Sequence, residues 1–165
     1  MTQPNAANKA TSRRFRHATM RDLPHMQKIY ARARELMAAN GNPTQWGNEF
    51  PRESVIEDDI ANQRTVLLVD TCNGHERILA QFALCPGEDP TYAHIDGAWL
   101  DDDPYVTIHR IASSGLVKGA AKDCINWCIE HYGNVRADTH PNNKAMQHVL
   151  ESNGFARCGL IQLLD

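Results

Sequence analysis

Leu23, Met26, Ile29, Tyr30, Ala33 and Leu36 recur every three or four positions, which predicts an amphipathic helix with one buried stripe. Thr19 followed three residues later by Asp22 resembles a capping box at its start. Pro24 falls in the first turn, where a missing N–H is tolerated, and Asn40-Gly41 is the stop. Ser54 with Glu57 repeats the capping pattern ahead of Ile56 and Ile60, predicting a short second helix. Residues 65–70 and 77–85 are instead strand-like, and Asn73-Gly74 between them signals a two-residue hairpin turn. Residues 15–19, 91–95 and 105–112 read as further strands. A glycine loop and a helix follow, then a strand over 134–139, a helix over 142–152 halted by Asn153-Gly154, and a final strand over 155–163. Hairpins first and crossovers later give an α+β fold: a mixed sheet with helices on its faces.

Length and composition narrow this picture. A chain of 165 residues suits one domain with one core. Residues 1–12 are polar and lack the apolar stretch of a secretory signal, so they read as a disordered lead-in to a single domain over 13–165. No apolar run approaches the roughly 18 residues of a membrane span. The five cysteines form no CxxC pair, which favours reduced thiols and a cytoplasmic protein, with Cys124 and Cys128 one helical turn apart as core residues. The eight histidines include no HxxxH pair, and no metal is expected.

The net charge of -3 conceals an uneven distribution. Residues 1–52 carry nine Lys/Arg against three Asp/Glu, whereas residues 53–103 carry two against twelve. The acidic stretch is either a solvated face or the approach to a site for a cationic partner. No basic stripe accompanies aromatics, which argues against nucleic-acid binding.

The candidate chemistry centres on the loop Ser113-Ser114-Gly115-Leu116-Val117-Lys118-Gly119 between a strand and a helix. A helix N-terminus offers unpaired N–H groups to an anion, and phosphate is the natural guest. The loop has neither GxxxxGK[ST] nor GxGxxG, so nucleotide hydrolysis and dinucleotide binding are not indicated. It resembles motif A of the GNAT superfamily of acyl-CoA-dependent N-acetyltransferases, in which [QR]-x-x-G-x-[GA] joins a strand to a helix. Gly119 and Ala121 match, while Leu116 stands at the [QR] position. Residues 138–155 resemble motif B, with Asn143 at the asparagine position, Met146 at the alanine position, Leu150 at the tyrosine position and Gly154-Phe155 at the end. Gln45-Trp46 and Phe50-Pro51 complete a resemblance, over about residues 13–163, to a bacterial GNAT subgroup of unassigned substrate.

The resemblance implies a mostly antiparallel central sheet splayed between its fourth and fifth strands. Acetyl-CoA, as co-substrate, would lie in the split. Its pantetheine would pair with Ile111 and Ala112, and its phosphates would rest on Ser113, Val117, Lys118, Gly119, Ala120, Ala121 and Lys122. Asn143 would bond the pantetheine arm. A primary amine of a small molecule or peptide would attack directly, with His109, Asp138 and His140 as candidate proton acceptors. Trp46, Asp96 and Trp99 would lie around the acceptor. In this family the tyrosine that Leu150 replaces protonates the leaving thiolate, which a leucine cannot do. A non-catalytic acyl-CoA-binding module is the alternative. The fold usually closes with a seventh strand beside the fifth; here that strand is expected to be missing, and a homodimer through the C-terminal strand would fill the gap.

Overall fold

Alternation along the two longest strands sets the architecture. In the computed structural model, which describes residues 10–163, β2 (Thr65–Cys72) and β3 (His75–Pro86) form the middle of a five-stranded sheet of order β1-β2-β3-β5-β6. Successive side chains of a strand face opposite ways. Val66, Leu68, Ala80, Phe82 and Leu84 therefore join one core with Cys124, Ile125 and Cys128 of α3 (Ala120–Tyr132) and Leu150 of α4 (Lys144–Ser152). Leu67 and Val69 join a second core with Leu23, Met26, Ile29 and Tyr30 of α1 (Leu23–Ala39) and Ile56 and Ile60 of α2 (Glu53–Ala61). Both faces being covered explains why these strands read as apolar runs. Burying a side chain such as Phe82 stabilises by roughly 1.5–3 kcal/mol.

β1 (Arg14–His17), β2, β3 and β5 (Val106–Ser113) pair antiparallel, and β6 (Val135–Ala137) joins β5 in parallel. The hairpin at Asn73-Gly74 forms as predicted, with both residues at positive φ (53° and 80°). Across it Arg77 donates two hydrogen bonds to the Asp70 carboxylate, at 2.8 and 2.7 Å. Those bonds, against the opposing effect of burial, hold Asp70 below the usual carboxylate range.

Several expectations change. The Thr19–Asp22 pattern caps a 3₁₀ turn (Met20–Asp22) that leads into α1, with the Thr19 N–H bonded to the Asp22 carboxylate at 2.8 Å. Leu36, counted with the buried stripe, is exposed. α2 starts at Glu53 with Arg52 as its N-cap, so Ser54 and Glu57 do not cap it. Residues 91–95 form no strand. Asp89 accepts from the N–H and hydroxyl of Thr91, and this closes a 3₁₀ turn over Pro90–Tyr92. The pairing there is made further along, by β4 (Asp96–Gly97).

β4 pairs with β7 (Gly159–Leu160), which is all that forms of the strand expected over 155–163. The two backbones approach so closely that a Cβ on Gly97 would sit 2.1 Å from the Cys158 carbonyl oxygen, and one on Gly159 2.2 Å from that of Asp96. This small ribbon stands apart from the main sheet, and the outer edge of β6 is unpaired among the described residues. The sheet is thus not closed, as expected. Of the lead-in, residues 1–9 lie outside the described residues. Ala10 bridges Cys72, and the Thr11 N–H donates to the Thr71 carbonyl at 2.8 Å.

Candidate active site

β5 and β6 stay paired only as far as Ile108 and Ala137. The next residues, His109 and Asp138, flank the point where the strands part. Beyond it, the edge of β5 that faced β6 is open. Arg110 has φ of 54°, a conformation non-glycine side chains seldom adopt, in the stretch where the β3–β5 register shifts. Its guanidinium donates twice to buried Asp59, at 2.8 and 2.8 Å, and Arg64 adds a third bond to Asp59 at 3.0 Å. Tyr30 donates to the Arg110 carbonyl at 3.3 Å. The irregular backbone is therefore held from its side chain and from its own oxygen.

Around the parting point the side chains form a connected set. His109 Nε2 lies 2.8 Å from Asp89 Oδ2. Burial opposes ionisation of Asp89, but the hydrogen bonds from Thr91 and His109 outweigh it and hold the carboxyl below its usual range. An ionised Asp89 only accepts, so Nε2 of His109 carries a proton, and in a neutral ring Nδ1 is the atom with the lone pair. Tyr92, buried, donates to Asp138 Oδ1 at 2.6 Å, and its ring centroid lies 6.5 Å from that of His109. Burial and the Asp138 carboxylate push the Tyr92 phenol up. Tyr105 donates no bond here; its hydroxyl accepts from the Asp89 N–H at 2.8 Å. Cys85, paired opposite Thr107, has its thiol raised by burial, which disfavours the thiolate a nucleophile needs.

The loop end of β5 is built differently. Gly119 has φ of 76° and is the N-cap of α3, and a Cβ there would meet nothing within 4 Å, so the space over it is free. Apart from the turn across Lys118 and Gly119, the N–H groups of Val117, Lys118, Gly119, Ala120, Ala121 and Lys122 make no hydrogen bond to the rest of the protein among the described residues. This is the donor set a pyrophosphate requires, and acetyl-CoA fits it. Lys118 and Lys122 are exposed, whereas the side chain of Ala120 is core, so its contribution is its amide alone. Arg13 fastens the loop by donating to the Lys118 carbonyl at 3.2 Å and pairing with Asp123. Among the described residues no group of three or more His, Cys, Asp or Glu is placed to hold a metal ion.

The other expected residues fall in three places. Asn143 caps α4, its Oδ1 accepting from the Met146 N–H at 3.1 Å, while its Nδ2 donates to Gln45 at 3.1 Å. His140 sits in the preceding turn, with Nδ1 accepting from the Asn142 N–H at 3.0 Å. Trp46 packs edge-on to Tyr30 and Phe50. Trp99 donates to the Tyr92 carbonyl at 3.0 Å and packs at a tilt against the ring, centroids 4.9 Å apart, so it anchors the Tyr92 turn. Asp96 lies exposed in the β4–β7 ribbon. Leu150 is buried in the α3-side core, where a tyrosine hydroxyl would lack water.

No protein-family profile matches the chain, and no curated protein is significantly similar to it. Solved structures are. A GNAT family acetyltransferase from Streptococcus agalactiae is 30% identical with a TM-score of 0.81, over 92% of this chain and 89% of that one. The chain belongs to the GNAT family of acetyltransferases. The family's general reaction class, acyl transfer from acetyl-CoA, comes with that membership. Two more distant GNAT-fold structures share the fold alone. One is a GNAT family acetyltransferase from Listeria monocytogenes, 18% identical with a TM-score of 0.64 over 90% of this chain and 88% of that one. The other is the aminoglycoside N-acetyltransferase AAC(6')-Iy in complex with a bisubstrate analogue, CoA-S-monomethyl-acetylneamine, 16% identical with a TM-score of 0.59 over 94% and 98%.

Sequence reasoning missed three residues of this connected set, Asp89, Tyr92 and Tyr105. A signal existed for the first: Asp-Pro-Thr is a turn-capping sequence, and reading 91–95 as a strand hid it. Tyr92 gives no local sign, because its partners lie 7, 17 and 46 residues away in the chain.

Proposed function

We propose that the chain transfers an acetyl group from acetyl-CoA to a primary amine of a small molecule or peptide, by direct attack with both substrates bound. The observation that carries this reading is the continuity of β5. One strand bears the open edge, the His109–Asp89 pair beside it and the free amides at its end. The occupancy of the AAC(6')-Iy site by a bisubstrate analogue supports a ternary complex on this fold.

In this mechanism the open edge of β5 at Ile111 and Ala112 pairs with the pantetheine arm. The amides of Val117 to Lys122 and the approach over Gly119 hold the pyrophosphate. The donor supplies a thioester carbon; attack by a neutral amine forms the amide bond and breaks the C–S bond. His109 Nδ1 accepts the proton the amine loses, and Asp89 stabilises the imidazolium that results. Asp138, oriented by Tyr92, and Asp89 make the mouth acidic, which suits an amine arriving as a cation. The acceptor loop is tied to α4 through the Gln45–Asn143 bond. Cytoplasm, where thiols stay reduced, is the setting of this reading.

The second reading, an acyl-CoA-binding module without turnover, is favoured by Leu150, which leaves the usual acid position without a hydroxyl. Thiol release from acetyl-CoA across a panel of amines separates the two. Release with at least one amine is expected; binding of CoA without release from any amine would favour the module.

We also propose a homodimer through the C-terminal strand. The unpaired edge of β6 borders a cavity of about 280 Å³ lined by Trp99, Val135, Arg136 and Phe155, and Leu100, Leu160 and Leu163 are exposed. Light scattering is expected to give twice the chain mass, and Leu160→Lys to halve it. A wild-type monomer would reject the proposal.

A further inference from the structure

Between His109 and Ala112, β5 carries one residue more than the strand it pairs with. Ala83 lies opposite His109 and Gln81 opposite Ala112, so Phe82 alone faces both Arg110 and Ile111. This is a β-bulge, a feature that re-aims side chains. In a regular strand Ile108 and Ile111, three residues apart, would face opposite ways. Here both meet the α3-side core, and Ala112 belongs to the α1-side core. His109 and Arg110, consecutive in the chain, are left between them on the face that α1 and α2 cover.

The bulge rests on an unfavourable conformation. Arg110 has φ of 54°, and a left-handed backbone lowers the population of an ordinary residue about tenfold. Asp59 of α2, only 2% exposed, offsets this cost. Both of its oxygens accept from Arg110, and Oδ1 accepts from Arg64 as well. The Arg64 carbonyl in turn accepts the Leu84 N–H at 2.8 Å, and Leu84 is paired with Ile108. α2 therefore grips the sheet on both sides of His109, at Ile108 through Leu84 and at Arg110 directly. His109 itself bonds Asp89, not Asp59.

We infer that Asp59 is a positioning residue for His109: by holding Arg110 at positive φ it fixes the direction in which the imidazole leaves β5. The inference rests on the transfer reading given above, in which His109 accepts the proton of the amine. A buried carboxylate on α2, away from the reacting atoms, then acts on the rate through the backbone of its partner.

Two substitutions at 110 test it, because both remove the guanidinium and only one keeps the conformation. Glycine takes positive φ freely, and β-branched valine does not. With the primary amine that wild type acetylates fastest, kcat of Arg110→Gly is expected to exceed that of Arg110→Val about tenfold. Calorimetry should find the acetyl-CoA affinities of the two within about twofold of each other. In a His109→Ala background the difference in kcat should vanish, which a purely structural role of Arg110 would not cause. Should valine unfold the protein, Arg110→Asn against Arg110→Gln repeats the comparison, asparagine being the one that favours positive φ. Asp59→Asn is expected to lower kcat about tenfold, and adding Arg110→Gly, which also removes the cation left unpaired, to restore most of it. Equal kcat in the paired variants at 110, a difference that persists without His109, or no restoration in the double variant would overturn the inference. A wild type that releases thiol with no amine would overturn the transfer reading instead.

Discussion

Past Ile108, β5 serves two regions built on opposite principles. At the loop, the groups that face outward are backbone amides and cations with few partners in the protein. At the parting point, the groups are side chains already engaged with one another: His109 with Asp89, Tyr92 with Asp138, Arg110 with Asp59. Unsatisfied donors cost stability and are kept where a ligand satisfies them. Satisfied pairs fix orientation and protonation state, which proton transfer needs. The loop is thus suited to binding and the parting point to chemistry, and variants in each should affect one property without the other.

The largest expected effect is His109→Ala. A positioned general base contributes about 10²–10⁴-fold, and kcat should fall by that amount while acetyl-CoA affinity stays within about twofold of wild type. Steady-state kinetics with calorimetry reads both. A variant that loses donor affinity instead would show that the two regions are not separable.

Gly119→Asp tests the other side. The position needs φ of 76°, which Asp tolerates better than most residues, so the fold should persist by circular dichroism. A carboxylate in the free space over the loop meets the phosphates with like charge. Acetyl-CoA affinity should fall at least about 100-fold, a change of roughly 2.7 kcal/mol. Unchanged affinity would reject the loop as the phosphate site.

Asp70→Asn lies outside both regions and serves as their control. The folded carboxyl titrates below its ordinary value, chiefly because Arg77 bonds its charged form. Its stabilisation is therefore complete above the ordinary carboxylate range and is lost as pH falls through the lowered value. At neutral pH the variant should be less stable by about 1.5–3 kcal/mol, the worth of a hydrogen bond to a charged group. The deficit should narrow below about pH 4, and kcat and donor affinity should not change. Urea unfolding at pH 7 and pH 3 measures it.

The same contrast explains what was legible in the sequence. The loop is one contiguous stretch, and a glycine before a helix is a local signal, so the start of α3 after Gly119 could be placed beforehand. The hairpin and both cores were legible because period-two alternation and turn chemistry are local. The parting point brings together Asp89, Tyr92, Tyr105, His109 and Asp138 from separate elements, so only His109 and Asp138 were reached, through the resemblance. The last strand was misjudged for a related reason. Its pairing depends on Gly97 and Gly159 admitting a close backbone approach, a property of two segments and not of either one.

The smallest expected effect concerns Asn143, which ties the start of α4 to the loop carrying Gln45. Asn143 does two jobs with its two side-chain atoms: Oδ1 caps α4, and Nδ2 holds Gln45 in the loop between α1 and α2. Asn143→Ala removes both, and losing an N-cap costs about 1 kcal/mol. Asn143→Asp separates them. Aspartate caps as well as asparagine and suits the positive end of the helix, but it has no N–H for Gln45 or for a pantetheine carbonyl. The Asp variant should match wild type in thermal unfolding. Its acetyl-CoA affinity should drop about fivefold, the worth of one neutral hydrogen bond near 1 kcal/mol. Wild-type affinity in that variant, with lost stability only in the Ala variant, would make Asn143 a helix cap and nothing more. The donor site would then rest on the backbone amides of the loop, without help from α4.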